Sequence, residues 1–371
     1  MKVAIVSFHN AKNFGAVLQN YALQVAIREL GYEVVTIDFR NQDETDSESI
    51  KYKNQKDGNL INNIIRDVFL ILNAKRINMR KYRFEGFVKK NISLSKSCTS
   101  RTIGELAECY DVYICGSDQV WNRAISPTDI LIYALNFVKS KPKASYAASS
   151  GSNDLTDESL LECVRKLDYV TVREQSLKDS LKKRGIRCVT VCDPTLLSDQ
   201  EVWLKLIEGI EPHTKGKGFL YYVDDEAGKV CSKIAQDYGK KKRICNPVPI
   251  SKGVIKFHQE SVFEDGPVEF LADLQATDFV VTSSFHGTVF SLLFEKEFIA
   301  VPWGKKGQRL IDLLYEVGLE DRIVYSFEDY QKRKNEFHKI DYSAVRHKIQ
   351  SMRENSLNEL NTICNLHRQL K

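Results

Sequence analysis

The strongest constraint on the fold is an alternation of short apolar runs with helical patterns, present from the first residues. Lys2–Ser7 reads as a strand. Val17, Leu18, Tyr21, Ala22, Val25, Ile27 and Leu30 then recur with helical spacing over Ala16–Leu30. Gly31 supplies a stop, and Glu33–Ile37 reads as a second strand ending in Asp38. Strand, helix, strand in this order opens a doubly wound α/β layer with a parallel sheet.

Residues 41–91 break the rhythm. They are polar over Gln42–Lys56 and amphipathic around Leu60–Leu72. This predicts a loop and one or two inserted helices, serving as a lid or specificity element or as surface decoration. The rhythm then resumes, with strands predicted at Asp111–Cys115, Lys143–Ala148, Tyr169–Val172 and Arg187–Val191, and a helix at Gln175–Lys183. After Asp193-Pro194 a second set begins. Strands are predicted at Phe219–Val223, Asp278–Thr282 and Phe298–Val301, and helices at Glu226–Tyr238, Val268–Gln275, Gly287–Phe294 and Arg309–Val317. A polar helical tail covers Tyr342–Leu370.

A length of 371 residues exceeds one ordinary core and fits two domains. The expected class is α/β, with two Rossmann-like domains facing across a cleft. Residues 1–197 form the first, with its insertion at about 41–91. Residues 198–340 form the second, and 341–371 a C-terminal helix returning towards the first.

Charge and cysteine usage exclude several function classes. Net charge is +5, with basic clusters at Lys139–Lys143, Lys240–Arg243 and Lys305-Lys306. These are either solvated loops or attractors for an anionic substrate or carrier. Aromatic residues do not interleave with them, which argues against nucleic acid as a partner. The nine cysteines include no CxxC pair. Cys188 and Cys192 would share one strand face too far apart for a disulfide, so free thiols are expected. No apolar run spans a bilayer and no signal-peptide layout opens the chain. The expected location is therefore the cytoplasm, compatible with peripheral attachment at the inner face of the cell membrane.

Ligands of such sheets sit outside the carboxyl ends of the strands. The residues there are small and polar: Ser7, His9, Asn10 and Asn13; Gly116, Ser117 and Asp118; Ser149, Ser150 and Gly151; Arg173 and Glu174; Ser283, Ser284 and His286. Gly15 lies where helix one opens, and Gly287 where the helix after Thr282 opens. Both placements suit an anion near backbone N–H groups, and both also suit an ordinary capped turn. His286 could exchange a proton near neutral pH, or simply cap and pack. Arg173 could form a bidentate fork with a carboxylate or phosphate, or an ion pair with Glu174. Asp193-Pro194 reads as a turn, and nothing in the sequence joins Asp118 to Asp193. No HExxH, Walker A or GxSxG motif is present.

Several segments, in this order and spacing, resemble the polysaccharide pyruvyl transferase family over nearly the whole chain. They are Asn13-Phe-Gly-Ala-Val-Leu-Gln19 with Tyr21-Ala-Leu-Gln24, Gly116-Ser-Asp-Gln-Val-Trp-Asn122, Ser145-Tyr-Ala-Ala-Ser149, Val172-Arg-Glu174, Asp193-Pro-Thr195 and Thr282-Ser-Ser-Phe-His-Gly287. The resemblance implies a fold similar to GT-B glycosyltransferases. It also implies transfer of pyruvate from phosphoenolpyruvate to a sugar of a cell-surface polysaccharide or its precursor, as a ketal, with no metal or other cofactor. It makes His286 and Arg173 the catalytic residues. Substrate would meet Asn13, Gly15, Gly116, Ser117, Asp118, Trp121, Asn122, Ser149, Ser283, Ser284 and Gly287. Trp121 would either pack on the sugar or be buried. The acceptor would be a saccharide, free, nucleotide-linked or lipid-linked.

One position departs from the family. Many members carry arginine two residues before the histidine, where this chain has Ser284. Arg309, Lys305 or Lys306 would then supply the missing cation. Two other readings stand beside this one: a GT-B-type glycosyltransferase using a nucleotide sugar, and a non-catalytic sugar-binding module.

Overall fold

The computed structural model describes residues 1–41, 71–151, 154–212, 218–221, 225–237, 242–245, 264–304 and 307–369. Lys305, Lys306 and the expected insertion over 42–70 lie outside them. The chain forms two compact units. The first comprises 1–52, 88–198 and 350–371; the second comprises 53–87 and 199–349.

Unit 1 is built on seven parallel strands: β1 (Lys2–Val6), β2 (Glu33–Phe39), β3 (Leu94–Cys98), β4 (Val112–Cys115), β5 (Lys143–Ala148), β6 (Tyr169–Val172) and β7 (Val189–Thr190). Their order is β3-β2-β1-β4-β5-β6-β7, so the winding reverses between β1 and β4. Val3–Val6 and Val112–Cys115 are fully buried, as strands covered on both faces require. The helices described along this stretch include α1 (Phe14–Glu29), α2 (Ala74–Asn91), of which only residues 88–91 fall in unit 1, α3 (Glu158–Arg165) and α4 (Gln175–Lys183).

α1 lies on the sheet through more than an apolar stripe. Gln24 Nε2 donates to Thr36 Oγ1 at 2.8 Å, Thr36 Oγ1 donates to Asn20 Oδ1 at 2.8 Å, and Asn20 Nδ2 donates to Ser7 Oγ at 2.6 Å. This buried chain of amides and hydroxyls is closed at each link, so it carries little of the cost of an unmet polar group.

β3 and α3 are not evident in the sequence pattern. β3 is a sheet edge whose Leu94-Ser-Lys-Ser-Cys98 run buries only its last residue. An edge strand has little need of apolar alternation.

Unit 2 has a four-stranded parallel sheet: β8 (Gly218–Tyr221), β9 (Lys242–Cys245), β10 (Phe279–Thr282) and β11 (Glu297–Ala300), in the order β11-β10-β8-β9. Its helices are α5 (Gln200–Leu206), α6 (Asp225–Asp237), α7 (Pro267–Ala276), α8 (Phe285–Leu293), α9 (Gln308–Val317) and α10 (Phe327–Arg333). Trp203 of α5 is fully buried, edge-on to Phe290 of α8 with centroids 4.9 Å apart.

Of the described part of the expected insertion, residues 71–87 belong to unit 2 and residues 88–91 to unit 1. Arg76, Arg80 and Arg83 recur at one face of α2. Arg76 Nε donates to Glu264 at 2.8 Å and Arg80 to the Asp265 carbonyl at 3.1 Å. Arg83 meets Asp265 at 3.2 Å and Glu269 at 3.1 Å. Gly266 makes this approach possible, since a Cβ there would sit 2.6 Å from the Arg83 Cβ.

The tail is α11 (Tyr342–Cys364) and α12 (Leu366–Gln369). In unit 1, Arg353 donates to the carbonyls of Leu196 and Ser198, at 2.8 and 3.1 Å, and the Ser356 hydroxyl accepts from Cys192 N at 2.9 Å. Among the described residues no helix is long and apolar enough to cross a membrane.

Candidate functional site

The carboxyl ends of the unit 1 strands form a rim of tightly engaged polar groups. After β4, Gly116 has φ 114° and passes so close to β5 that a Cβ would lie 2.2 Å from the Tyr146 carbonyl oxygen. Only glycine fits there. Asp118 also takes a left-handed conformation, φ 68°, held by Ser149 N donating to its carbonyl at 3.0 Å. Trp121 N donates in turn to the Ser149 carbonyl at 3.1 Å. Gly116–Asn122 and Ser149, far apart in sequence, are thus laced together.

Arg173 sits within this rim with its side chain 4% exposed. Its guanidinium lies 2.7 Å from Asp193, 3.0 Å from Glu174 and 3.8 Å from Asp118. Its Nη1 also reaches Gln19 Oε1 of α1 at 3.5 Å, and that oxygen accepts from the Ser117 hydroxyl. Burial disfavours the charged guanidinium, but Glu174, Asp193 and Asp118 outweigh it and hold the pKa above the ordinary arginine range.

Asp118 and Asp193, which nothing in the sequence joined, converge on one arginine. Arg173, read as either an anion clamp or an ion-pair partner of Glu174, pairs with Glu174 and is ringed by three carboxylates of its own chain. A second anion would enter a field already negative in sum. Asp193 is anchored from its other side, since Oδ1 accepts from Thr195 N at 3.0 Å and Oγ1 at 2.6 Å. Glu174, named as a partner of Arg173, and Asp193, read as a turn, build this site together with Gln19, to which sequence reasoning gave no role. The one available signal for Gln19 was its position inside a motif quoted for other residues.

Other predicted residues of this rim do local work. Asn13 caps α1, its Oδ1 accepting from Ala16 N at 3.2 Å, and Gly15 is buried in the first turn. Asn122 Oδ1 accepts from Ala124 N at 3.0 Å and its Nδ2 donates to Gln119 at 2.8 Å. Trp121, expected to face a sugar or be buried, is 1% exposed and belongs to the core. At the neighbouring strand ends, His9 Nε2 lies 3.0 Å from Asp38, which also pairs with Arg40 at 2.9 Å. Burial works against the Asp38 carboxylate, but His9 and Arg40 outweigh it and depress its pKa.

The corresponding rim of unit 2 is described at the end of β10. β10 ends at Thr282, beside β8, where the strand order of this sheet reverses. Ser284 is the N-cap of α8, with φ −91° and ψ 133°. Its Oγ accepts from Gly287 N at 3.3 Å, its own N–H donates to Thr282 Oγ1 at 3.0 Å, and its carbonyl accepts from Thr288 Oγ1 at 3.1 Å. Two serines, a histidine and a glycine stand here because a strand turns sharply into a helix whose first N–H groups need an acceptor.

His286 is the second residue of α8, just inside the surface at 9% exposure. Its ring stands edge-on to Phe285 at 5.2 Å. The Arg309 guanidinium, from the first turn of α9, lies over the other ring at 5.8 Å from the Phe285 centroid. Ser283, Ser284, His286, Gly287 and Arg309 are thus brought together. Lys306 lies outside the described residues. Among those residues no cluster of His, Cys, Asp and Glu is arranged to hold a metal ion.

A scan against family models matches residues 13–305 to the polysaccharide pyruvyl transferase model. The chain belongs to the polysaccharide pyruvyl transferase family. It is thereby a member of a transferase family of polysaccharide biosynthesis. No curated protein matches the sequence. Among solved structures, a putative UDP-N-acetylglucosamine 2-epimerase from Listeria monocytogenes matches with TM-score 0.54 and 10% identity, over 100% of this chain and 97% of that one. The S. aureus MnaA–UDP co-structure matches with TM-score 0.52 and 11% identity, over 98% and 97%. A mutant O-GlcNAc transferase of Thermobaculum terrenum matches with TM-score 0.47 and 10% identity, over 98% of this chain but only 66% of that one. At such identities the likeness concerns the fold alone, which is α/β, Rossmann-like in each unit and GT-B-like as a class.

Proposed function

We propose that this family member transfers the pyruvyl group of phosphoenolpyruvate to two hydroxyls of one sugar, forming a ketal in a polysaccharide or its precursor. The observation that carries the reading is the grouping of His286, the α8 amino terminus and Arg309 at one strand end, in a chain of this family. Phosphoenolpyruvate carries about three negative charges, which calls for a cation and N–H donors rather than a stacking pocket.

His286, as the imidazolium, donates a proton to the methylene carbon of phosphoenolpyruvate. The adjacent carbon becomes oxocarbenium-like and a sugar hydroxyl attacks it, returning its proton to the imidazole. The C–O bond to phosphate then breaks, the second hydroxyl closes the ketal, and its proton passes to the departing inorganic phosphate. Arg309 takes the place of the arginine that Ser284 replaces and faces the phosphate or carboxylate. Arg173 does not contact the donor; it holds Asp118 and Asp193 so that the unit 1 rim keeps its shape. No step calls for a metal. The acceptor is a saccharide, free or carried on a lipid or nucleotide.

The test is thermal stability with phosphoenolpyruvate, UDP-sugars or GDP-sugars, wild type beside Arg309→Met. A ligand that binds only the folded state raises the melting temperature. Phosphoenolpyruvate is expected to raise it in the wild type, with most of that shift lost in the variant. Stabilisation by a nucleotide sugar and not by phosphoenolpyruvate would overturn the reading in favour of a glycosyltransferase.

A further inference from the structure

The amino-terminal edge of the unit 1 sheet carries a second concentration of charge, away from the strand ends described above. β5 starts at Lys143 and β6 just after Asp168. The loop 136–142 and the end of α3 meet there around a cavity of about 530 Å³, lined by Lys139, Lys141, Lys143, Lys166, Cys163 and Asp168 among others. That volume is in the range of small-molecule sites.

The charges in this cavity do not balance. Four ammonium groups face a single lining carboxylate. Asp168 is turned to the strand, accepting from Lys143 N at 2.9 Å. A further acid, Glu108, accepts from the Ser140 hydroxyl and lies 4.0 Å from Lys141. Two of the ammonium groups are held in place by backbone: Lys139 Nζ donates to the Asn136 carbonyl at 2.7 Å and Lys143 Nζ to the Val138 carbonyl at 3.0 Å. Burial depresses the Lys143 pKa, and the neighbouring Lys139 and Lys166 add to it. Lys166 also complements the carboxyl end of α3. That role does not account for the half-buried Lys143 beside two like charges. An anion in the cavity would.

We propose that this cavity is a second ligand site, which takes a soluble small molecule through a phosphate or diphosphate group. Lysines suit phosphate as fixed point charges with several donors each. No aromatic side chain lines the cavity among the described residues, so it offers a nucleobase no stacking surface.

The experiment is isothermal titration of the full chain with inorganic phosphate and with pyrophosphate, at ionic strength fixed with sodium chloride. Wild type is compared with the double variant Lys143→Met, Lys166→Met. The methionines keep the apolar stems and remove the charges. Saturable binding is expected in the wild type, weakened at least about tenfold in the double variant, since each charged hydrogen bond contributes a factor of that order. The rate of phosphate release from saturating phosphoenolpyruvate should be unchanged in the double variant, which separates this site from the donor site. If the double variant does not fold, the exposed Lys139→Met is read instead and a several-fold loss is expected. Absence of binding in the wild type, binding indifferent to these lysines, or response only to phosphatidic acid vesicles would overturn the proposal.

Discussion

The two strand-end rims share a plan and differ in how they are held. In unit 1 the charged groups around Arg173 are met by one another. Arg173 has three carboxylates, Asp193 has Arg173 on one oxygen and Thr195 on the other, and Gln19 bridges Arg173 and Ser117. In unit 2, among the described residues, the start of α8 is held by hydrogen bonds of Ser284 with Thr282, Gly287 and Thr288 and by ring contacts of Phe285 with His286 and Arg309. The first rim is over-determined and suits a scaffold. The second sets an imidazole at a helix amino terminus, an arrangement that suits proton transfer.

This contrast makes Arg173 the most sensitive position for stability. Arg173→Met should destabilise the fold by about 3–5 kcal/mol, because it strands buried carboxylates without their cation; Arg173→Lys should recover only part, lacking the fork. Denaturant unfolding followed by circular dichroism measures both. A loss under about 1 kcal/mol would remove the scaffold reading and reopen a substrate role.

At the other rim the expected signs are reversed. His286→Ala should leave the melting temperature near that of the wild type while lowering kcat by roughly 100-fold or more. Phosphate release from phosphoenolpyruvate across a panel of nitrophenyl hexosides gives the rate. If the rate is unchanged, the proton comes from elsewhere.

A third comparison uses pH. Burial, with Asp273 nearby and Arg83 opposing, pushes the Asp265 carboxyl up to about 8. Unfolded, it titrates near its ordinary value of about 4. Between these values the folded state holds a proton that the unfolded state does not, so stability falls as pH rises from about 4 to about 8 and levels off above. Asp265→Asn should flatten that slope in melting curves taken across the range. A slope unaltered by the substitution would place the titration on another group.

The smallest effect is expected at Ser284. Ser284→Ala removes the N-cap and should cost about 1 kcal/mol, with Ser284→Asp restoring it. Failure of the aspartate to rescue would mean the hydroxyl does more than cap.

Much of the fold was legible in the chain because periodicity reports burial. Lys143–Ala148, Tyr169–Val172 and Gln175–Lys183 are the strand, strand and helix that their apolar spacing indicates, since buried parallel strands and amphipathic helices leave different repeats. β3 was not legible, being a polar edge. Nor was the attachment of residues 71–87 to unit 2, which depends on Arg76, Arg80 and Arg83 finding acids about 180 positions away. Candidate residues were readable as a class, since strand ends are marked by Ser, Gly and Asp just after apolar runs. Their roles were not. Trp121 is core and Asn13 a cap.

By itself, then, the sequence determined two parallel α/β layers, where each strand hands over to a loop, and membership of a family through motif order. These follow from local periodicity and short-range turn chemistry, which act within a few residues. Only the tertiary structure decided that Arg173 serves three carboxylates, that Gln19 joins them, and that Arg309 comes to lie over Phe285 beside His286. Charge and ring contacts of this kind act across a few ångströms of space, and residues that meet there can lie anywhere along the chain.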